Sequence, residues 1–131
     1  MVITKGFKAL LAEANAVVDA VSVREAMDML EDADVAFIDL REREELAQGT
    51  IPGAAHVPRG LLEFVADPES PMHIPSFDPA KQLVVFCASG GRSALAAKTL
   101  QDMGFQRVAN LVGGFQAWSE AEAPIDPLRD V

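Results

Sequence analysis

The stretch Cys87-Ala88-Ser89-Gly90-Gly91-Arg92-Ser93 holds the only thiol in a chain of 131 residues. It follows the apolar run Leu83 to Phe86 and precedes an alanine-rich segment. A thiolate, not a thiol, is the nucleophile. A helix N-terminus and an adjacent arginine can lower a cysteine pKa from about 8.5 to roughly 3.5–7.5. Both features are predicted here, with Arg92 opening the helix and free amides pointing back over the loop. Gly90 and Gly91 permit the backbone dihedrals that turn amides inward. The spacing thus predicts a cradle for negative charge on, or bound to, the Cys87 sulfur. A lone cysteine is more often a small buried hydrophobe. Strand, glycines and arginine together favour the reactive reading.

The flanking elements must hold that loop. Leu83 to Phe86 read as a short strand buried on both faces, and Arg92 to Leu100 as a helix rich in Ala94, Ala96 and Ala97. Upstream, Gly6 to Val18 carry apolar residues at helical spacing behind a loose Met1 to Lys5, and Val18 to Val21 suit a short extended piece. Ser22 and Glu25 form a capping box that opens a helix through Leu30. Val35 to Leu40 read as a second buried strand, and Glu42 to Gln48 as a brief helix stopped by Gly49. A short strand is expected at Ala55 to Val57 and a helical turn at Leu61 to Val65. The four prolines of Asp67 to Pro79 mark a surface loop. Gly104 caps the helix after Cys87, Arg107 to Leu111 form a last strand, and Gly113-Gly114 turn into a helix through about Ala121. Strands alternating with helices predict an α/β domain with a mainly parallel sheet. Ligand sites in such sheets gather beyond the carboxyl ends of the strands, where Cys87 and Asp39 both fall. We find no internal repeat.

Composition sets bounds on function. Half of the chain is apolar and 24% is charged, as in ordinary globular domains. Eleven basic against twenty acidic residues give a net charge of −9, which argues against a nucleic-acid surface. It would also repel an anionic substrate unless arginines gather at the site. One cysteine allows no internal disulfide, and no segment resembles a signal peptide or a membrane span. A cytoplasmic protein is the expectation.

Three blocks carry a family resemblance. Cys87, Gly90, Arg92 and Ser93 fit Cys-x-x-Gly-x-Arg-Ser/Thr, the active-site loop of rhodanese-like sulfurtransferases. The segment IDLREREELAQGTIPGAAHVP resembles the family's upstream signature at Asp39, Arg41, Glu45, Gly49, Ile51, Pro52, Gly53, Ala54 and Pro58. LVGGFQAW resembles its closing motif through Gly113, Gly114 and Trp118. The resemblance runs from about Ser22 to Pro124, so residues 1–21 are read as a helical extension and 22–131 as the domain. It implies a single rhodanese-like domain with a five-stranded, mainly parallel sheet and helices on both faces. It also implies that Cys87 takes a sulfane sulfur from a donor as a persulfide, which an acceptor then attacks. Cys87 and Arg92 are the implied catalytic pair, and Ala88, Ser89, Gly90, Gly91 and Ser93 the substrate-binding loop. Partners would be a small anionic donor such as thiosulfate, a thiol or cyanide acceptor, and a protein sulfur acceptor as a further candidate. No metal or organic cofactor is implied, and neither nucleic acid nor membrane is a partner. Two positions depart from the pattern. Residue 50 is Thr where many relatives have His, and Ala88 stands where several thiosulfate-using relatives carry a basic residue.

Other residues admit plainer roles. Arg59, after the proline of the second block, is either a binder of the anionic donor or a solvated charge. Asp39 and Arg41 are expected to hold loop architecture, since a carboxylate at a strand end can accept several hydrogen bonds. Glu45 is expected as a structural partner and not as a catalytic acid. His56 and His73 are isolated and make no metal site. Trp118 and Phe115 suit helix packing, and Gly-Gly-Arg-Ser lacks the lysine and spacing of a Walker loop.

Two other function classes compete. A cysteine-dependent phosphatase or arsenate reductase would use a related loop, but with five residues between cysteine and arginine instead of the four found here. Phe86 also replaces the His often found before a phosphatase cysteine. A non-catalytic partner-binding module is the other class, although such modules commonly lack the cysteine.

Overall fold

A computed structural model describes residues 2–127. Met1 and residues 128–131, which the boundaries 1–21 and 22–131 take in, lie outside the described residues. The elements run α1 (Phe7–Val17), β1 (Asp19–Val21), α2 (Val23–Met27), β2 (Val35–Asp39), a 3-10 turn (Arg43–Gln48), β3 (Ala55–His56), a second 3-10 turn (Arg59–Leu61), α3 (Leu62–Ala66), β4 (Gln82–Phe86), α4 (Gly91–Met103), β5 (Val108–Leu111) and α5 (Gly114–Glu120). The five strands form one parallel sheet in the order β1-β5-β4-β2-β3.

Side-chain alternation along the central strands feeds two cores. Ile38, Leu83, Val85 and Val108 face one side, with Val18, Leu62, Val65, Ala96, Ala97 and Leu100. Phe37, Val84, Phe86 and Leu111 face the other, with Ala26, Phe115 and Trp118. Neighbouring strand residues point to opposite faces, so an unbroken apolar run is what a sheet covered on both sides requires. Helices α3 and α4 thus cover one face and α2 and α5 the other. The N-terminal stretch joins this body. β1 is the edge strand, with Asp19 to Val21 in register with Ala109 to Leu111, and α1 packs on α4.

The boundaries differ from expectation for local reasons. Ser22 Oγ accepts from the Glu25 amide and the Glu25 carboxylate accepts from the Ser22 amide, but regular helix ends at Met27. Three-residue turns continue through Met29 and Leu30. The segment 43–48 is 3-10 and not α, because Arg41 Nη1 takes the Glu45 carbonyl while the Gly49 amide bonds back to Leu46. Helix α4, in contrast, ends where expected, at Met103, with Gly104 in left-handed dihedrals closing it. The tail returns to the body: Thr50 and Asp126 exchange two backbone hydrogen bonds, and Trp118 Nε1 donates to Pro124 O at 2.7 Å.

Candidate functional site

The parallel sheet presents β4 and β5 side by side, and the cysteine loop leaves the carboxyl end of β4. Cys87 is buried, with 1% of its surface exposed. Gly90 takes the left-handed φ of +107° and turns its amide onto Cys87 Sγ at 3.1 Å. Ser93 Oγ lies 3.4 Å from the same sulfur. Burial by itself pushes the Cys87 thiol up. The Ser93 hydroxyl and the amides of Ser93, Gly90 and Ser89 outweigh it, and the net shift is below the ordinary thiol value.

The closing glycines hold this loop from behind. Phe115 and Gln116 donate their amides to Cys87 O at 2.8 Å and Ala88 O at 3.0 Å. A Cβ on Gly114 would stand 2.5 Å from Cys87 O and 2.7 Å from Ala88 O. Glycine is required there because two backbones meet.

Arg92 is placed at the start of α4, and its guanidinium grips Glu45 with two hydrogen bonds, at 2.7 and 2.8 Å. The Arg92 hydrogen bond is the main reason the Glu45 carboxyl is lowered to about 2. Arg92 is raised in turn, first by Glu45 and more weakly by Cys87. Arg92 therefore reaches the sulfur as a charge partly neutralised by Glu45, and the close donors to Sγ are the Gly90 amide and the Ser93 hydroxyl.

Asp39 and Arg41 form a buried pair at the end of β2, at 2.8 Å. Thr50 Oγ1 donates to Asp39 at 2.7 Å, and Arg41 also donates to Glu45 O and Gly49 O. The Arg41 guanidinium lies 4.0 Å from the Phe115 ring centre, and His56 Nε2 donates to Arg41 O at 2.7 Å. This cluster fixes residues 42–50, and with them the Glu45 carboxylate that holds Arg92. Arg59 is turned elsewhere: its guanidinium bonds Glu63 at 3.0 Å and Thr99, in the middle of α4, at 3.4 Å.

Sequence reasoning missed Asn110. It is buried on β5, donates from Nδ2 to Gly90 O at 3.1 Å, and accepts from Ser93 Oγ at 2.6 Å. The available signal was an amide side chain inside the otherwise apolar strand Val108 to Leu111, since a buried amide needs partners. Asn110 and residues 89–91 also border a cleft of ≈ 430 Å³ that Leu11, Asn15, Val18 and Asp19 line as well. That volume suits a small ligand. Among the described residues no cluster of His, Cys, Asp and Glu could hold a metal, and no helix is long and apolar enough to cross a membrane.

Fold and loop together define an α/β domain whose single cysteine sits at the end of a central strand, its sulfur beside the Gly90 amide and the Ser93 hydroxyl. The family model described as "Rhodanese-like domain" matches residues 22–121, and the chain belongs to that family. It is 36% identical over 118 residues to Thiosulfate sulfurtransferase 16, chloroplastic, of Arabidopsis thaliana, covering 87% of this chain and 98% of that one. It is also 36% identical over 92 residues to a sulfurtransferase of Allochromatium vinosum, covering 70% and 78%. Among solved structures, a protein of unknown function from Rhodopseudomonas palustris, described as a possible tyrosine phosphatase, is 44% identical. Its TM-score is 0.90, with 96% of this chain and 98% of that one covered. A rhodanese-related protein from Thermoplasma volcanium follows at TM-score 0.68 and 25% identity, covering 82% and 97%.

Proposed function

We propose that this protein is a sulfurtransferase that carries sulfane sulfur as a persulfide on Cys87. The observation that carries the reading is the sulfur itself, buried yet held below its ordinary pKa by the hydrogen-bond donors that surround it. With thiosulfate as donor, the Cys87 thiolate attacks the outer sulfur. An S–S bond forms, the bond to the sulfonate sulfur breaks, and sulfite leaves with the electron pair. Cyanide or a thiolate acceptor then attacks the outer sulfur of the persulfide, and the pair returns to Cys87. Amides already aimed at the sulfur stabilise the anion at each stage without reorganising. The same donors favour the thiolate over the thiol, so the attack calls for no separate general base. Relatives named as thiosulfate sulfurtransferases support thiosulfate as a donor, while Ala88 adds no positive charge to recruit it. Arg92 completes the electrostatics. A cytoplasmic setting, which keeps a single free thiol reduced, fits this reading.

The description of one solved relative favours phosphate chemistry as the rival. Two features oppose it. Only four residues separate Cys87 from Arg92, and the Arg92 fork that would clasp phosphate oxygens is closed on Glu45. Intact-mass measurement tests the proposal: thiosulfate should add one sulfur to wild type, cyanide should remove it, and Cys87→Ser should show neither. Retention of cyanide-dependent thiocyanate formation by Cys87→Ser would refute it.

A further inference from the structure

Asn110 has an orientation that its own bonds determine. Gly90 O can only accept, so the side-chain nitrogen faces it and Oδ1 faces Ser93. Ser93 Oγ thus lies between two acceptors, Asn110 Oδ1 at 2.6 Å and Cys87 Sγ at 3.4 Å. The hydroxyl has one proton to give. The shorter bond, to an amide oxygen, is the better of the two while the sulfur is protonated. Ser93 then turns a lone pair to the sulfur, an arrangement that suits S–H and disfavours a thiolate. To ionise Cys87 with the hydroxyl's help, the O–H must swing from Oδ1 to Sγ. The cysteine proton leaves to solvent and the electron pair stays on sulfur. Oδ1 loses its donor in a buried setting, which is unfavourable.

We propose that Asn110 is a positioning residue that sets how readily Cys87 ionises, by competing with the sulfur for the single proton of Ser93. Its role in sulfur transfer rests on the persulfide reading, whereas the competition itself is a property of the free thiol. Several charged and titratable groups lie on the elements around the loop. They are Arg92 with Glu45, the Asp39–Arg41 pair with His56 on its carbonyl, and Asp19 in the lining of the cleft. None of them is altered in the variants below.

The test is the pH dependence of iodoacetamide alkylation in wild type, Asn110→Leu, Ser93→Ala and the double variant. Asn110→Leu frees the Ser93 hydroxyl for the thiolate, so the inflection should fall by about one pH unit. In the Ser93→Ala background the same substitution should shift nothing. If Asn110→Leu does not fold, Asn110→Ala removes the same acceptor without added branching and carries the same expectation. An unchanged or raised inflection, or an equal shift without Ser93, overturns the proposal. The last result would reduce Asn110 to a brace for the Gly90 carbonyl. Intact mass after thiosulfate, measured on the same samples, separates the two claims. The expected alkylation profile without any added sulfur would refute the persulfide reading and leave the proton competition standing.

Discussion

Gly114→Ala should disable the cysteine loop through backbone contact alone. The new methyl would lie 2.5 Å from Cys87 O and 2.7 Å from Ala88 O, where about 3.3 Å is the ordinary C···O approach. Relief requires a displacement of roughly 0.7 Å. Both carbonyls are tied to α5 by the Phe115 and Gln116 amides, so they cannot retreat without losing those bonds. Two backbone hydrogen bonds at about 1 kcal/mol each, plus about 1 kcal/mol for a left-handed φ of +59° on alanine, sum to roughly 3 kcal/mol. Because Cys87 O moves with its own residue, the sulfur shifts relative to the Gly90 amide and the Ser93 hydroxyl. Gly113→Ala is the control. It has a similar φ of +74° and a comparable clash, 2.6 Å from Ala117 Cβ. That clash lies within α5 and not against the cysteine loop, so it matches the strain without touching the Cys87 and Ala88 carbonyls. Urea denaturation gives the stability change, and alkylation and sulfur-transfer rates are then compared at equal folded fraction. Gly114→Ala should lose most transfer and raise the alkylation inflection, while Gly113→Ala should keep both near wild type once folded. Wild-type transfer by Gly114→Ala, with a stability loss below about 0.5 kcal/mol, would show that the carbonyl contacts do not position the sulfur.

Further outcomes follow from the same geometry. Alkylation of wild-type Cys87 should plateau at a pH below that of a free thiol, because its pKa is lowered; an inflection at the free-thiol value would contradict the donor arrangement. Glu45 has a folded pKa of about 2 against 4.5, so its pair with Arg92 should stabilise the fold above pH 4.5 and lose that contribution as pH falls towards 2. With 33% and 40% of the two side chains exposed, Glu45→Gln should cost only about 1 kcal/mol at pH 7, seen in urea midpoints, and the difference from wild type should shrink from pH 4.5 downward and vanish only below pH 2. The same substitution frees the Arg92 charge and should move the Cys87 alkylation inflection to lower pH. Wild type should turn over thiosulfate measurably and aryl phosphates hardly at all, assayed side by side; faster phosphate release would reverse the functional reading. Arg92→Ala should cut sulfur transfer strongly while costing the fold about 1 kcal/mol, as Glu45→Gln does, since both remove the same partly exposed pair.

Local chemistry was legible in the sequence. Ser22 and Glu25 cap a helix because the groups that bond are three residues apart. Cys87, the glycines and the start of α4 make an amide-lined loop because strand, left-handed turn and helix are contiguous. Leu83 to Phe86 read as a doubly covered strand because alternation along the run feeds both faces. Partners far apart in the chain were decided only by tertiary structure. Arg92 meets Glu45 across 47 positions because β2 lies beside β4 and the Asp39–Arg41 pair pins the turn that follows β2. Asn110 stands behind Ser93 because β5 is the other neighbour of β4, and Arg59 turns to Glu63 and Thr99 because its 3-10 turn lies against α4. A loop's dihedrals depend on its own residues. The hydrogen bond that a side chain finally makes depends on which strand the sheet order places beside it.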